Sequence, residues 1–344
     1  MRRFLATPLG GGAQALAVAA VLALVTYGSG GLSGLDRATV WLDLGLFALS
    51  IALMWGYGGI LSFGQATFFG LGAYGYAWLT TDTVGMNLGA LGSLLGPIFG
   101  LLIAGLLALA VGYFLIYGKV AGAFFAIVTM ALSFMMASLG TYWSGVFGGS
   151  MGISGIPPIS ISGSSALSTR GEVAGYVVVA AVLVVVVVVV RLLLGSSFGL
   201  LMDGVRDNEE RFLFLGARTA QIKLIVFVVA SCIAGLAGAL YASDARFVSA
   251  DLMGNLLSVE AVMWVLVGGS GSLIGAIVGT LAVRGVGFWM SGVSLDYWMI
   301  GLGALYIVIV MVGSTGLAGL GRWVMDKGSS AAARRREKGG RVAA

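Results

Sequence analysis

Long apolar runs alternate with short polar or glycine-rich breaks along the chain. They lie at 13–28, 39–56, 62–80, 90–117, 121–142, 173–194, 223–243, 256–268, 273–290 and 296–313. Most are long enough, as helices, to cross a hydrocarbon core of about 30 Å, which takes roughly 20 residues. They lack the apolar–polar alternation of membrane-barrel strands. The run at 173–194 contains the valine stretch Val184–Val190. In water such a stretch favours a strand; in lipid a helix wins, because its backbone hydrogen bonds close within the segment. The pattern predicts an all-α polytopic membrane protein of about ten transmembrane helices, some broken or re-entrant. They form one domain over 1–320, followed by a basic tail, 321–344, that reads as disordered.

Basic residues orient the helices. Arg2 and Arg3 precede the first run, Arg206, Arg211, Arg218 and Lys223 lie in one internal loop, and Arg334, Arg335, Arg336, Lys338 and Arg341 lie in the tail. An even number of crossings puts all three regions, and both termini, in the cytoplasm. That count requires 256–290 to split at Gly268-Gly269-Ser270-Gly271-Ser272. Its first piece is then about 20 Å long as a helix, too short to cross, and is expected to be broken or re-entrant. The first run is read as a retained helix rather than a cleaved leader, because further spans follow. The segment 143–172, rich in Gly, Ser and Pro, is the longest extracytoplasmic loop.

Composition agrees. Of 344 residues 59% are hydrophobic and 10% charged, against about 25% charged in soluble domains. Glycine, at 57 residues, suits close packing of membrane helices. There is no histidine, which removes imidazole metal sites and the commonest general base. The one cysteine, Cys232, sits in an apolar run and excludes an intrachain disulfide. The net charge of +5 gathers at the termini and in one loop, so it does not signal nucleic-acid binding. Its plain role in the tail is topology and attraction to anionic lipid.

Charge concentrates in one internal stretch. Only Asp43, Asp82 and Lys119 are charged between Ala38 and Thr169, whereas 198–223 holds Asp203, Arg206, Asp207, Glu209, Glu210, Arg211, Arg218 and Lys223. Leu201, Val205, Phe212 and Leu215 fall on one face at helical spacing, with Asn208 interrupting, and Gly216 supplies a stop. This predicts a short amphipathic helix beneath the membrane. A solvated linker needs only solubility; large apolar groups among charges of both signs suit docking of a cytosolic partner. Arg206, Asp207, Glu209, Glu210, Arg211 and Gly216 are the expected contacts in the coupling loop 198–222.

Two interrupted segments stand out. In 54–74, glycines at 56, 58, 59, 64, 70 and 72 thin the helix around Ser62, Gln65 and Thr67. Unwound backbone at membrane depth is tolerated only where it is buried or lines a cavity, and transporters use such breaks for substrate. Close packing around small residues explains the same glycines without a ligand. In 264–279, Gly271, Gly275 and Gly279 form a helix-packing ladder, and Ala234, Gly238 and Ala242 form a second small-residue face. Trp264 with Gly268-Gly269 echoes Trp55 with Gly58-Gly59. The intramembrane ionisable residues are Asp43, Glu260 and Arg284, the last expected to pair with Glu260 or to snorkel. The expected pathway residues are Ser62, Gln65, Thr67, Thr129, Glu260 and Trp264. No G-x-x-x-x-G-K-[ST] phosphate loop is present, so active transport draws its energy from a partner or an ion gradient.

The blocks GYGGILSFGQATFFGLGAY (56–74), AGAFFAIVTMALS (121–133), GGSMGISGIPP (148–158), 206–242 and VLVGGSGSLIGAIVG (265–279), in this order, resemble the LivM-type permease subunits of branched-chain amino acid ABC importers. The resemblance runs from about residue 40 to 320. It implies a homologous second permease (LivH-like), two cytosolic ATP-binding subunits that use the ATP, and an extracytoplasmic substrate-binding protein. This chain then binds no cofactor and is not itself an enzyme. The resemblance also implies that 198–218 docks an ATPase subunit and that outer loops, 143–172 among them, meet the binding protein. RFLFLGA, SVEAVMWVLVGG and YWMIGLGALYIV are also similar to urea permeases of the same superfamily. Those read LSLGHG where this chain has Leu61–Ala66, so amino acids are placed ahead of urea or short amides. A stand-alone channel or secondary transporter remains the alternative from another class; a membrane enzyme is disfavoured by the missing histidine and paired carboxylates.

Overall fold

The computed structural model of the chain describes residues 8–84, 88–159 and 171–293, together with 301, 303, 306 and 307. The expected span 296–313, Arg2, Arg3 and the tail lie outside the described residues.

The chain is helical, as the apolar runs require. Helix α1, Pro8–Ile51, is broken at Gly31 (φ 60°, ψ −137°) and ends in a π-helical turn, Ala52–Tyr57. Then come α2 (Gln65–Thr80), α3 (Ala90–Tyr117), α4 (Ala123–Tyr142) and α5 (Gly171–Gly195). Two short helices, α6 (Ser197–Asp207) and α7 (Glu209–Phe214), precede α8 (Thr219–Ala245), α9 (Asn255–Gly268) and α10 (Leu273–Val293). Among the described residues seven segments are long and apolar enough to cross a membrane: Gly10–Gly28, Gly30–Tyr57, Leu91–Tyr117, Ala123–Tyr142, Val173–Gly195, Thr219–Ala245 and Leu273–Ser291. The valine run is helical, and its Leu183, Val187 and Val190 face inward while Val185 and Val189 face out.

Helices α2 and α9 are half-length, at 16 and 14 residues, or about 24 and 21 Å. The short α9 is as expected. The full crossing expected over 62–80 is corrected: residues 58–64 are not helical, and α2 begins only at Gln65. Gly59 takes φ +67°, and the Ser62 hydroxyl accepts from the Gly64 amide at 3.1 Å. That side-chain bond competes with the helical ladder and holds the unwound turn.

The helix α8 runs through the centre, packed on α1, α2 and α3. Small residues allow the contact: a Cβ on Gly238 would overlap the Phe69 carbonyl, and one on Gly72 the Gly235 carbonyl. This is membrane packing through close backbone approach. Helix α5 packs on the first half of α1, where the Tyr176 hydroxyl donates to the Ala19 carbonyl. At one end of the bundle, β1 (Ile153–Ser154) pairs antiparallel with β2 (Phe247–Val248). Trp78 Nε1 donates to the Val146 carbonyl there at 2.7 Å, and the Tyr76 hydroxyl to Pro157 at 2.9 Å. The charged helices α6 and α7 lie at the opposite end.

Candidate functional site

Two half-helices start beside each other inside the bundle. The Ala66 amide, in the first turn of α2, donates to Ser258 Oγ in the first turn of α9 at 2.8 Å. From that level α2 runs towards the strand end and α9 towards the charged end. Gln65 Nε2 donates to Ser50 Oγ at 3.4 Å, while Gln65 Oε1 is buried without a partner among the described residues. Thr67 and Ser133 share a hydroxyl–hydroxyl bond of 3.1 Å, and Ser133 also donates to the Phe63 carbonyl at 3.3 Å. Thr129 turns its hydroxyl back onto its own helix, to the Phe125 carbonyl at 2.9 Å, and backs onto Gly64. The structure thus gathers Ser62, Gln65, Thr67 and Thr129 into one buried polar cluster, with Ser50, Ser133 and Ser258 added.

Glu260 and Trp264 lie further along α9, two and six residues past Ser258. Trp264 is fully buried, with the Arg284 guanidinium 5.1 Å from its ring centroid. Arg284 does not pair with Glu260 among the described residues; its cation lies over the ring instead, and Arg284 Nε is buried without a hydrogen-bond partner. A second ionisable group accompanies Asp43. Asp244, one residue past the expected end of the run at 223–243, lies close to Asp43.

Two glycines of the expected ladder lie against α9. Cβ atoms on Gly275 and Gly279 would overlap the Gly268 and Trp264 carbonyls of α9. Gly271 is not in that face: it sits in the turn before α10, where a Cβ would meet nothing within 4 Å.

The α9–α10 turn meets the α1–α2 break. Gly56 lies flush against the Ser270 carbonyl, and the Tyr57 hydroxyl donates to the Gly271 carbonyl at 3.1 Å. The two Gly-Gly interruptions that echo each other in sequence therefore belong to one junction, at the charged end of the bundle.

The charged stretch is two helices rather than one. Asn208 breaks it in extended conformation, and its side chain caps α7 by accepting from the Arg211 amide at 3.0 Å. A break shifts the helical phase, so no single stripe runs through. Of the predicted stripe Val205 is buried and Phe212 half-buried, whereas Leu201 and Leu215 are exposed; Met202 takes the inner place. The three-residue spacing from Gly199 through Met202 to Val205 was the available signal. Gly216 stops α7 at φ +81°.

The tip is apolar and uncovered: Leu213, Phe214 and Leu215 are 54%, 92% and 79% exposed. Glu210, Arg211 and Arg218 flank it in the chain and are exposed, as are Asp203 and Asp207 of α6. Glu209 turns inward to Lys223 of α8 at 2.5 Å. Arg206 also turns inward, its Nη1 donating to the Gly56 carbonyl at 2.5 Å. An apolar tip flanked by both signs of charge has the composition of a protein-docking surface.

The model of the family described as "Branched-chain amino acid transport system / permease component" matches residues 35–311. The chain is 26% identical over 304 residues to the high-affinity branched-chain amino acid transport system permease protein LivM of Escherichia coli (strain K12), covering 82% of this chain and 69% of that one. Its likeness to LivM of Salmonella typhimurium is 27% with the same coverage. A shorter stretch of 94 residues is 34% identical to the autoinducer 2 import system permease protein LsrC of Escherichia coli O9:H4 (strain HS), over 26% of this chain and 27% of that one. No solved structure matches. The family match runs from the second half of α1 to beyond α10, taking in both half-helices, their junction and the charged helices, and the chain belongs to the branched-chain amino acid transport permease family.

Proposed function

We propose that this membrane permease forms half of the translocation pathway of an ABC importer for branched-chain or other hydrophobic amino acids. A homologous second permease supplies the other half, and two cytosolic ATP-binding subunits drive it. One observation carries the reading: the exposed Leu213-Phe214-Leu215 tip, flanked by charge, at the end of the bundle where both broken helices meet. With no phosphate loop in the sequence, ATP is bound and hydrolysed on the partners, and the coupling loop 198–222 docks them through its exposed Asp207, Glu210 and Arg211, while Arg206 and Glu209 turn towards the bundle.

In this reading the α6–α7 end is cytoplasmic, as are both termini, in keeping with the basic residues there. The strand end faces outward and receives substrate from an extracytoplasmic binding protein. Ser62, Gln65, Thr67 and Thr129 are the pathway's polar groups, reached when the α2 break opens; Glu260 and Trp264 flank it on α9. The names of the LivM relatives favour branched-chain amino acids as substrate.

Tagged chain should bring down two ATP-binding subunits and a second permease from its native membrane. Glu210→Lys, on an exposed face of α7, should abolish ATP-driven uptake while leaving membrane insertion unchanged. Normal uptake by that variant removes the docking role. Uptake of labelled leucine against labelled urea decides the substrate, and accumulation of urea alone overturns the amino-acid assignment.

A further inference from the structure

Arg206 stands apart from its neighbours in the charged loop. Asp203, Asp207, Glu210 and Arg211 point to solvent; Arg206, 41% exposed and with Nε 3.6 Å from Asp207, also reaches the bundle. Its Nη1 donates to the Gly56 carbonyl at 2.5 Å, and its aliphatic stem lies under Gly59, where a Cβ would come 2.8 Å from Arg206 Cγ. Gly59 stands at φ +67°, which a side chain tolerates poorly, and the close stem removes the room for one as well.

Gly56 is an unusual place to hold. It lies in the last turn of α1, where the helix no longer supplies amide donors to its carbonyls. The carbonyls at a helix C-terminus carry partial negative charge, which a guanidinium complements. The same residue abuts the Ser270 carbonyl of the α9–α10 turn, and Tyr57 beside it bonds the Gly271 carbonyl at 3.1 Å. One cationic side chain on the loop therefore touches the point where both discontinuous helices are joined.

We propose that Arg206 is the positioning residue that carries movement of the ATPase-docking loop to this junction, so that ATP turnover opens the α1–α2 and α9–α10 breaks together. This rests on the ABC-permease reading and adds to it: the outward face of α6–α7 recognises the partner, and Arg206 transmits. The loop's other tie, Lys223 to Glu209 at 2.5 Å, anchors α7 to the unbroken α8 and does not reach the junction. A guanidinium on a carbonyl is a charge-assisted bond, stronger than a neutral one.

The test uses the whole importer in proteoliposomes and reads ATP hydrolysed per substrate imported. A residue that only holds the loop in place changes assembly, not this ratio. Arg206→Ala should keep its ATPase subunits and hydrolyse ATP within about twofold of the parent, yet import about tenfold less substrate. Arg206→Lys, which keeps one cationic donor, should recover part of the coupling. Loss of the ATPase subunits from Arg206→Ala makes Arg206 a docking contact and overturns the proposal; so does an unchanged ratio. Failure of the parent chain to bring down any ATPase refutes instead the reading on which it rests.

A cysteine pair tests the same tie without comparing separately folded variants. Arg206 Cβ would lie 3.5 Å from a Cβ at position 59, at the short end of the disulfide range of about 3.5–4.5 Å. In a Cys232→Ser background, Gly59→Cys with Arg206→Cys should be uncoupled when reduced and regain import when oxidised, and Gly59→Cys with Arg206 intact, which should import less than the parent, reports the strain at φ +67° by itself. A crosslinked pair that stays uncoupled overturns the transmission role.

Discussion

The Ala66 amide and the Ser258 hydroxyl, 192 residues apart in sequence, join the first turns of two half-helices through a bond of 2.8 Å. The amide is among those a helix leaves unsatisfied at its start, and here another helix caps it. Ser258→Ala strands that amide in a fully buried position, at a cost of about 1–3 kcal/mol. A lower melting temperature in detergent is expected, with Ser258→Thr closer to the parent because it keeps the hydroxyl. Equal melting of Ser258→Ala and the parent would show that the bond contributes nothing net.

Two glycines of one sequence ladder separate sharply. Gly271 faces open space, so Gly271→Ala should change stability by less than about 0.5 kcal/mol, as at surface sites. At Gly275 a Cβ overlaps the Gly268 carbonyl, and the α9–α10 hairpin must spread to admit it. Overpacking of this kind costs about 1–3 kcal/mol. The measurement is detergent melting of the two single variants side by side; similar values would refute the hairpin packing described here.

Phe214, 92% exposed, supports little of the fold by itself. Phe214→Asp should leave the melting temperature unchanged and remove ATP-binding subunits from the purified complex. Truncation of a central apolar anchor typically costs an interface at least about 2 kcal/mol, so affinity should fall by more than tenfold. Retention of the partners at parental affinity would place the docking surface elsewhere.

Much of this was legible in the chain itself. The apolar runs gave the helices, and Gly268–Ser272 gave the split between α9 and α10, because run length and glycine clusters are local properties. The polar cluster was visible as Ser62, Gln65 and Thr67 in a broken run. Ser258 and Ser50, which complete it, were not, because their hydroxyls act across the fold. The loop 198–223 stood out by charge, but its facing did not. Asn208 breaks the helix and resets its phase, so Leu201 and Leu215 turn outward and Met202 inward. Arg206 read like any other charge of the loop, since nothing local distinguishes a cation that meets solvent from one that meets Gly56. Asp244 was missed because the apolar run stops one residue before it.

Asp43 and Asp244 pose the last question, since no hydroxyl, amide or cation among the described residues donates to the Asp43 oxygens. Asp244 receives one weak bond, from Ser243 at 3.4 Å, and its Oδ2 has none. A buried polar group without a partner costs about 1–3 kcal/mol. Asn at position 43 keeps the shape and brings an N–H pair that can donate to Asp244. Asp43→Asn should therefore melt at or above the parent's temperature. Asp43→Ala supplies no donor and leaves a void, and should melt lower. The decisive comparison is Asp43→Asn with Asp43→Ala in the same detergent. If the asparagine variant is the less stable of the two, a missing donor is not what limits this site.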